Sequence, residues 1–182
     1  FLKIRNFIPY ACYKTVYDIN YNKLYEEGKR IILMDIDNTL IPYDVNQPDE
    51  NLSELINNIL KIGFKIIFIS NNKMSRVKGF SERFNCPYVF SARKPFKYGY
   101  RKALKLVDYQ KLDEIIAIGD QVMTDVLGAS KMGIPCILVK PLKIVNEKWY
   151  TKLNRKLENR IINLLKKKHY DVYLKIKELK EL

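Results

Sequence analysis

The chain has 182 residues, and its 33 lysines and arginines against 20 aspartates and glutamates give a formal net charge of +13. This length and a hydrophobic content of 47% are those of a single globular domain, and they exclude a disordered chain. The cysteines Cys12, Cys86 and Cys136 and the single His169 are too scattered for a structural zinc site, so we expect buried, reduced thiols. Without an apolar run of membrane-spanning length or the apolar core of a secretory signal, we expect a cytoplasmic protein.

Residues 1–29 mix aromatic and basic side chains and carry no catalytic motif. This mixture fits a docking arm, an element on a membrane surface, or an edge that covers a sheet. We predict an N-terminal arm that packs on the core or on a membrane. The side chains concerned are Phe1, Phe7, Tyr10, Tyr13, Tyr17, Lys3, Arg5 and Lys14.

The segment from Ile31 to Leu40 is the most informative in the chain. Four apolar residues of the kind that fill a buried parallel strand run directly into Asp35 and Asp37. Side chains two apart in a strand lie on the same side, so both carboxylates would project from the carboxyl end, where open α/β sheets place their ligands. The pair suits a metal ion and a carboxylate nucleophile, although Asp-x-Asp also occurs in calcium loops and ordinary strand exits. The Gly and Glu spacing of a helix-loop-helix calcium site is absent.

Three more apolar runs of strand length follow, and each leads to polar residues and a segment able to form a helix. Between the first and second runs, apolar positions at helical spacing predict one amphipathic helix. The runs are 65–69 before Ser70, Asn71 and Asn72, 87–90 before Lys94, and 115–119 before Asp120 and Asp125, and the helix positions are Leu52, Leu55, Ile56, Ile59 and Leu60. A hydroxyl, a lysine and four carboxylates therefore collect at one edge of a predicted sheet.

These motifs resemble the haloacid dehalogenase (HAD) superfamily of Mg-dependent phosphotransferases. Asp35-Ile-Asp37-Asn38-Thr39 matches the first motif, Ser70 the second, Lys94 the third, and Gly119-Asp120 with Asp125 the fourth. The sequences of the fourth motif and of the segment 149–158 are similar to those of small bacterial and mitochondrial phosphatases related to phosphatidylglycerophosphate phosphatase. The resemblance implies a three-layer, Rossmann-like α/β domain with a mainly parallel central sheet and no large cap domain.

The resemblance also implies a role for each motif residue. Asp35 would be the nucleophile that forms an aspartyl-phosphate, and Asp37 would act as general acid and then general base. Mg²⁺ would be held by the carboxylates of Asp35 and Asp120 and the backbone carbonyl of Asp37, with Asp125 orienting the metal shell. The phosphate contacts would come from Ser70 and Lys94 and, with lower priority, from Asn71 and Asn38.

Taken singly, several of these residues have ordinary structural explanations. Ser70 could cap a helix, Lys94 could be one of many surface lysines, and Asp125 could be an acid favoured at a helix start. The functional interpretation depends on their conjunction with the Asp35 motif.

The spacing between motifs narrows the class of substrate. Only 34 residues separate Asp35 from Ser70 and 23 separate Ser70 from Lys94, which leaves no room for a cap domain. An open cleft suits a phosphate carried on something large, such as a lipid head group, a protein or a nucleic-acid end. A small metabolite stays open if oligomerisation supplies a lid.

The positive charge is concentrated in the predicted C-terminal tail, residues 145–182. From Lys140 to Leu182 there are 13 basic and 5 acidic residues, which would attract anionic lipid or nucleic acid. An apolar helical stripe flanked by basic residues fits either a helix in a membrane interface or one that packs on the domain. The stripe consists of Trp149, Leu153, Leu157, Ile161, Leu164 and Leu165, and its flanks of Arg155, Lys156, Arg160, Lys166, Lys167 and Lys168.

The sequence thus predicts a HAD phosphatase core at 30–144 that hydrolyses a phosphomonoester with Mg²⁺. We expect phosphatidylglycerophosphate as substrate, with peripheral contact to the inner face of the membrane through the basic tail. The alternatives are a phosphatase of nucleic-acid ends, phosphoproteins or small metabolites, and a non-catalytic basic binding module.

Overall fold

A computed structural model describes the backbone of residues 3–143 and 149–180 and the side chains of residues 3–143 and 156–180. One six-stranded sheet with the strand order β1-β6-β5-β2-β3-β4 forms its centre. The strands are β1 Ala11–Tyr13, β2 Ile31–Met34, β3 Lys65–Ile69, β4 Tyr88–Val89, β5 Ile115–Gly119 and β6 Cys136–Val139. The helices are α1 Tyr21–Glu26, α2 Glu50–Ile62, α3 Met74–Ser81, α4 Lys97–Leu104, α5 Leu127–Lys131, α6 Trp149–Lys168 and α7 Tyr170–Lys180.

All strand pairings in this sheet are parallel, which confirms the predicted α/β fold class. The central strand β2 lies between β3 and β5, and Ile32 is in register with Ile66 on one side and Ile116 on the other. β2 and β5 are buried along their whole length, as expected for strands covered on both faces. The four predicted strands are therefore present at their expected positions.

Alternate residues of β2 enter two separate hydrophobic layers. Ile32 and Met34 pack with α1, α2 and α3, whereas Ile31 and Leu33 pack with α4, α5, α6 and α7. This arrangement of helices on both faces of a parallel sheet is the predicted three-layer architecture.

The amphipathic helix predicted between the first two strands is α2. Leu52, Ile56 and Ile59 are buried, and Leu55 and Leu60 pack against the same layer. The side chain of Asp49 caps its first turn by accepting from the Leu52 amide at 2.8 Å. Residues 35–64 thus form a loop and one helix, and residues 70–87 form α3 and a short 3-10 turn.

Two strands were not predicted. β6 is four residues long and pairs with both β5 and β1, and β1 is a three-residue strand at the edge of the sheet. Three interpretations of the N-terminal segment were given above. For residues 11–13, the one that applies is the sheet-edge interpretation. The division of the chain into arm, core and tail remains a prediction.

The predicted apolar stripe of the C-terminal tail is only in part the face of α6 that packs on the domain. Leu157 and Leu164 are 38% and 50% exposed, whereas Glu158, Ile162 and Leu165 are buried and Ile161 is partly buried. The face of α6 that packs on the domain is therefore rotated from the predicted one. The rotation is possible because Glu158 is paired and can occupy a buried position. The side chains of Trp149, Leu153 and Arg155 lie outside the described residues.

The three cysteines are free thiols, and of these Cys86 and Cys136 are buried while Cys12 is half-buried. Among the described residues, no helix combines the length and apolar character needed to cross a bilayer.

Candidate active site

The polar residues that follow β2, β3, β4 and β5 meet at the carboxyl edge of the sheet. Asp35 follows β2 directly, and Asp120 follows β5, its parallel neighbour. Lys94 reaches the same point from the loop after β4. Because β2 is flanked by β3 and β5, the sheet itself brings three motifs together at one edge, as predicted.

Lys94 joins two of the carboxylates. Its Nζ lies 2.5 Å from Asp35 Oδ1 and 2.6 Å from Asp125 Oδ1, and its side chain is only 3% exposed. Burial by itself lowers the pKa of Lys94, but the carboxylates of Asp125 and Asp35 outweigh burial and hold that pKa well above its ordinary value. Lys94 is therefore a buried, charged group of the site and not a surface lysine.

Asp35 is the centre of this hydrogen-bond network. Thr39 Oγ1 donates to Asp35 Oδ2 at 3.0 Å and lies 3.3 Å from Asp120 Oδ1, so it links the ends of β2 and β5. Burial raises the pKa of Asp35 to about 7, opposed by Lys94 and reinforced by the charges of Asp125 and Asp37. The raised pKa indicates that the charge of Lys94 does not compensate for the burial of Asp35 and for the neighbouring carboxylates.

One oxygen of the site is left without a partner. Asp120 Oδ2 is buried and accepts no hydrogen bond within the part of the chain that the structure describes. Burial raises the pKa of Asp120 well above its ordinary value, and the neighbouring Asp35 and Asp125 add to the effect. An unpaired buried carboxylate is costly unless a cation or a proton neutralises it.

Asp35, Asp120 and Asp125, here called the acid cluster, fit a divalent cation. Each offers a carboxylate oxygen, and these oxygens lie within 4.8 Å of one another. A set of hard oxygen donors with excess negative charge is what Mg²⁺ requires. The predicted ligand set counted Asp125 as an outer residue, and its carboxylate lies within the cluster itself.

Asp125 is held by the segment that follows β5. A π-helical turn at Val122–Val126 presents it, and the Gln121 amide donates to Asp125 Oδ2 at 3.1 Å. Its side chain lies against Gly119, where an added Cβ would come within 2.3 Å of Asp125 Cγ. Gly119 is therefore needed for the close approach of this carboxylate to the end of β5.

Asp37 points away from the acid cluster, towards α3. Ser70 Oγ and Asn72 Nδ2 each donate to Asp37 Oδ2 at 3.2 Å, and Arg76 Nε donates to Asp37 Oδ1 at 2.5 Å. Three donors fix a carboxylate that is only 17% exposed. Arg76 and Asn72 were not predicted, because an arginine in a lysine-rich chain and a second asparagine after Ser70 carry no separate signal. Thr39 was predicted only as a member of the first motif, with no contact assigned to it.

The side chain of Asn71 forms two hydrogen bonds with the backbone of Lys94 in the third motif. Its Oδ1 accepts from the Lys94 amide at 2.7 Å, and its Nδ2 donates to the Lys94 carbonyl at 3.1 Å. Its side chain thus positions Lys94, and the predicted contact of Asn71 with phosphate stays a prediction. Ser70 Oγ also accepts from the Asn72 amide at 3.0 Å, which is a turn contact beside its bond to Asp37. The helix-capping role suggested for this serine is wrong, because α3 begins at Met74 after Lys73 and has no side-chain cap.

Comparison with known proteins agrees with this geometry. The sequence profile of the HAD-hydrolase-like family matches residues 91–141. The chain is 35% identical over 162 residues to a protein of Bacillus subtilis (strain 168) named "Probable phosphatase YqeG", covering 89% of this chain and 93% of that protein.

Among solved structures, a hypothetical protein from Xanthomonas campestris aligns with 78% of this chain and 79% of its own, with a TM-score of 0.50 and 13% identity. This likeness concerns the fold alone. The extent of the match to the Bacillus protein, together with the family profile, decides the family: the chain belongs to the HAD-like hydrolases.

Proposed function

We propose that the chain is a Mg²⁺-dependent phosphomonoester hydrolase that works through an aspartyl-phosphate and acts on phosphatidylglycerophosphate. The observation that carries the proposal is the buried contact of Asp35 with Lys94, next to an Asp120 oxygen that has no hydrogen-bond partner among the described residues. A carboxylate nucleophile, a fixed positive charge and a cation site are the parts that phosphoryl transfer needs.

Asp35 attacks the phosphorus of the substrate through one carboxylate oxygen. The bond from phosphorus to the leaving oxygen breaks, and the phosphoryl group is carried on Asp35. Lys94 keeps its positive charge beside the attacking group and stabilises the negative charge on the phosphoryl oxygens. Mg²⁺ bound by the acid cluster would offset the repulsion between Asp35 and the phosphate dianion.

Asp37 moves the protons of both steps. It protonates the departing alkoxide, and in the second step it accepts a proton from the water that hydrolyses the aspartyl-phosphate. The contacts with Ser70, Asn72 and Arg76 hold its carboxylate at a fixed position between the steps. A positioned acid is most effective when its rotamer is locked in this way.

The lipid substrate is supported by the openness of the site. The segments between the first three motifs hold one α-helix each, with short loops, so no inserted domain closes over the phosphate. The net charge of +13 favours an anionic surface. The same features fit the alternatives of a nucleic-acid end, a phosphoprotein or a small phosphorylated metabolite. A non-catalytic module is disfavoured because all the carboxylates and the lysine of the site are in place.

The nucleophile is tested by Asp35→Asn. We expect turnover of p-nitrophenyl phosphate to fall below detection while the cooperative thermal transition is kept. Asp108→Asn, an exposed aspartate remote from the site, is the control and keeps full activity. Undiminished activity of the Asp35→Asn protein would overturn the mechanism.

The substrate is tested by comparing phosphatidylglycerophosphate in detergent micelles with soluble sugar phosphates, nucleotides, a phosphopeptide and a 3′-phosphorylated oligonucleotide. We expect the highest kcat/KM for the lipid, and addition of EDTA should abolish turnover. A higher kcat/KM for any soluble compound would replace the lipid assignment with the corresponding alternative.

A further inference from the structure

We propose that the loops around the active site form a docking surface for an anionic bilayer, with the acid cluster facing the lipid head groups. The inference rests on the proposed lipid substrate for its biological role. It assigns membrane contact to the catalytic edge of the sheet and not to the basic tail.

The loops at this edge expose large apolar side chains. They come from the loop after β2, the first turn of α3, the loop after β4 and the loop after β6. The members of this docking edge are Tyr43 (37% exposed), Val45 (39%), Met74 (51%), Phe90 (36%), Phe96 (65%) and Leu142 (44%).

The topology puts these side chains on both sides of the site. Because every strand is parallel, all four segments leave the sheet at the edge that carries Asp35. From β4 to β6 there are four strand intervals, so the docking edge spans roughly 19 Å at about 4.8 Å per interval. The Leu142 amide donates to the Asn38 carbonyl at 2.9 Å, which holds the loop after β6 against the first motif.

Basic side chains accompany the exposed aromatic rings. Lys131 Nζ lies 5.7 Å from the centre of the Phe96 ring, and Arg76 Cζ lies 5.6 Å from that of Tyr43. Lys73, Arg93 and Lys97 add positive charge to the same loops and first turns.

The acidic residues of these loops are largely accounted for. Asp44 is paired with Lys143 at 2.6 Å, and Asp49 caps α2, leaving Glu50 in the first turn of that helix. Apolar and aromatic tips with a basic surround match the chemistry of an anionic membrane interface.

The outward face of α6 is the competing surface. It exposes Leu157 and Leu164 in a helix that is rich in lysine and arginine. However, Ile162 and Leu165 pack α6 on the layer formed by Ile31 and Leu33, which covers a face of the sheet. A head group held in a bilayer reaches Asp35 only if the catalytic edge faces that bilayer.

The test is flotation of the full chain with vesicles of phosphatidylcholine containing 30% phosphatidylglycerol. The double variant Met74→Ser, Phe96→Ser should bind about tenfold more weakly than the wild type, because two exposed apolar anchors are removed. Leu106→Ser, an exposed leucine beyond the far end of α4, is the matched control, and Leu164→Ser tests the competing surface. Both should bind like the wild type, and thermal unfolding checks that every variant is folded.

Three results would overturn the docking edge. The first is that the wild type does not bind anionic vesicles. The second is that Leu164→Ser loses vesicle binding while the double variant keeps it. The third is that the wild type binds an RNA oligonucleotide as tightly as it binds the vesicles. Vesicle binding is measured without turnover, whereas the substrate assignment is measured in detergent micelles. Vesicle binding without lipid hydrolysis would therefore contradict the substrate assignment and leave the docking edge supported. Lipid hydrolysis in micelles without vesicle binding would contradict the docking edge alone.

Discussion

Arg76 has a defined function at the scale of single residues. Its Nε donates to Asp37, its Nη1 donates to Asn46 Oδ1 at 2.9 Å and its Nη2 to the Pro42 carbonyl at 3.2 Å. One planar guanidinium thereby ties Asp37 to the loop after β2 and to α3. In the proposed mechanism Arg76 acts through Asp37, so it is a positioning residue.

We expect Arg76→Gln to affect poor leaving groups more than good ones. An alkoxide needs protonation by Asp37 to depart, whereas p-nitrophenolate departs without it. The kcat/KM for glycerol 3-phosphate should fall roughly a hundredfold, and that for p-nitrophenyl phosphate much less. Arg83→Gln, an exposed arginine outside the site, is the control. An equal fall for both substrates would show that Arg76 does not act through the proton transfer.

The charge imbalance of the acid cluster predicts how magnesium and pH act together. Burial raises the pKa of Asp35 from its ordinary value of 3.8 to about 7. The folded state then holds a proton that the unfolded chain has released, so the free energy of unfolding falls as pH rises from about 4 to about 7. Mg²⁺ competes with that proton for the carboxylate.

The rise in melting temperature caused by 5 mM Mg²⁺ should therefore be larger at pH 8 than at pH 5.5. Differential scanning fluorimetry measures it, with Asp108→Asn as a variant that behaves like the wild type. Asp35→Asn should reduce both the magnesium effect and the decline in stability between pH 4 and 7. A magnesium shift that is equal at the two pH values would contradict the proposed cation site.

The motif residues could be predicted because each lies directly or shortly after an apolar run, and the edge of a parallel sheet brings such positions together. Arg76 and Thr39 could not be predicted, since their roles depend on which side chains face them in three dimensions. Glu158 illustrates the same limit, because a glutamate on a lysine-rich helix is expected at the surface. Its burial is explained by its ion pair with Lys180, which is 22 residues away in the sequence.

At the scale of elements, the passage from β5 into the π-helical turn determines where Asp125 lies. Pi-helical turns often occur at functional sites because they redirect one side chain. Here the turn directs Asp125 towards Lys94, and the Tyr100 hydroxyl donates to the Asp125 carbonyl at 3.2 Å. Gly119 leaves the space that this carboxylate occupies.

Gly119→Ala should therefore lower both stability and activity. The new Cβ would displace Asp125 from Lys94, at a cost of about 1–3 kcal/mol in the free energy of unfolding. Gly79→Ala in α3 is the matched control, because its Cβ meets nothing within 4 Å and alanine favours the helix by about 0.5–1 kcal/mol. Urea denaturation and turnover of p-nitrophenyl phosphate measure the two effects. A Gly119→Ala protein as active as Gly79→Ala would show that Asp125 tolerates the displacement.

The secondary-structure elements differ in how readily their sequences predict them. Helix α2 was predictable because five apolar positions share one face and Asp49 and Gly63 mark its ends. β6 has four buried residues, as the predicted β2 has, but none of the polar motif residues follows it, and β1 has three residues that are only half-buried. Without a motif after them, such short runs carry no clear signal of their own. The rotation of α6 likewise depends on a buried ion pair and not on apolar periodicity.

At the scale of the whole molecule, the C-terminal helices are attached to the active-site turn. Glu158 of α6 forms a buried ion pair with Lys180 of α7, and its Oε1 accepts from the Val122 amide at 3.3 Å. Val122 opens the turn that carries Asp125. Lys180 also lowers the pKa of Asp120, against the larger effect of burial. The hairpin of α6 and α7 thus contributes charge and hydrogen bonding to the region behind the acid cluster.

Breaking this ion pair on one side should destabilise the protein more than replacing both partners. Glu158→Ala leaves Lys180 buried without its partner, and we expect the free energy of unfolding to fall by about 3–5 kcal/mol. The double variant Glu158→Leu, Lys180→Met should lose less, about 1–3 kcal/mol, because apolar side chains avoid the cost of burying charge while the buried Val122 amide loses its acceptor. Lys177→Met, on the exposed side of α7, should change the value by less than about 0.5 kcal/mol. Equilibrium urea denaturation measures all three, and equal losses in the single and double variants would show that the helices are held by their apolar contacts alone.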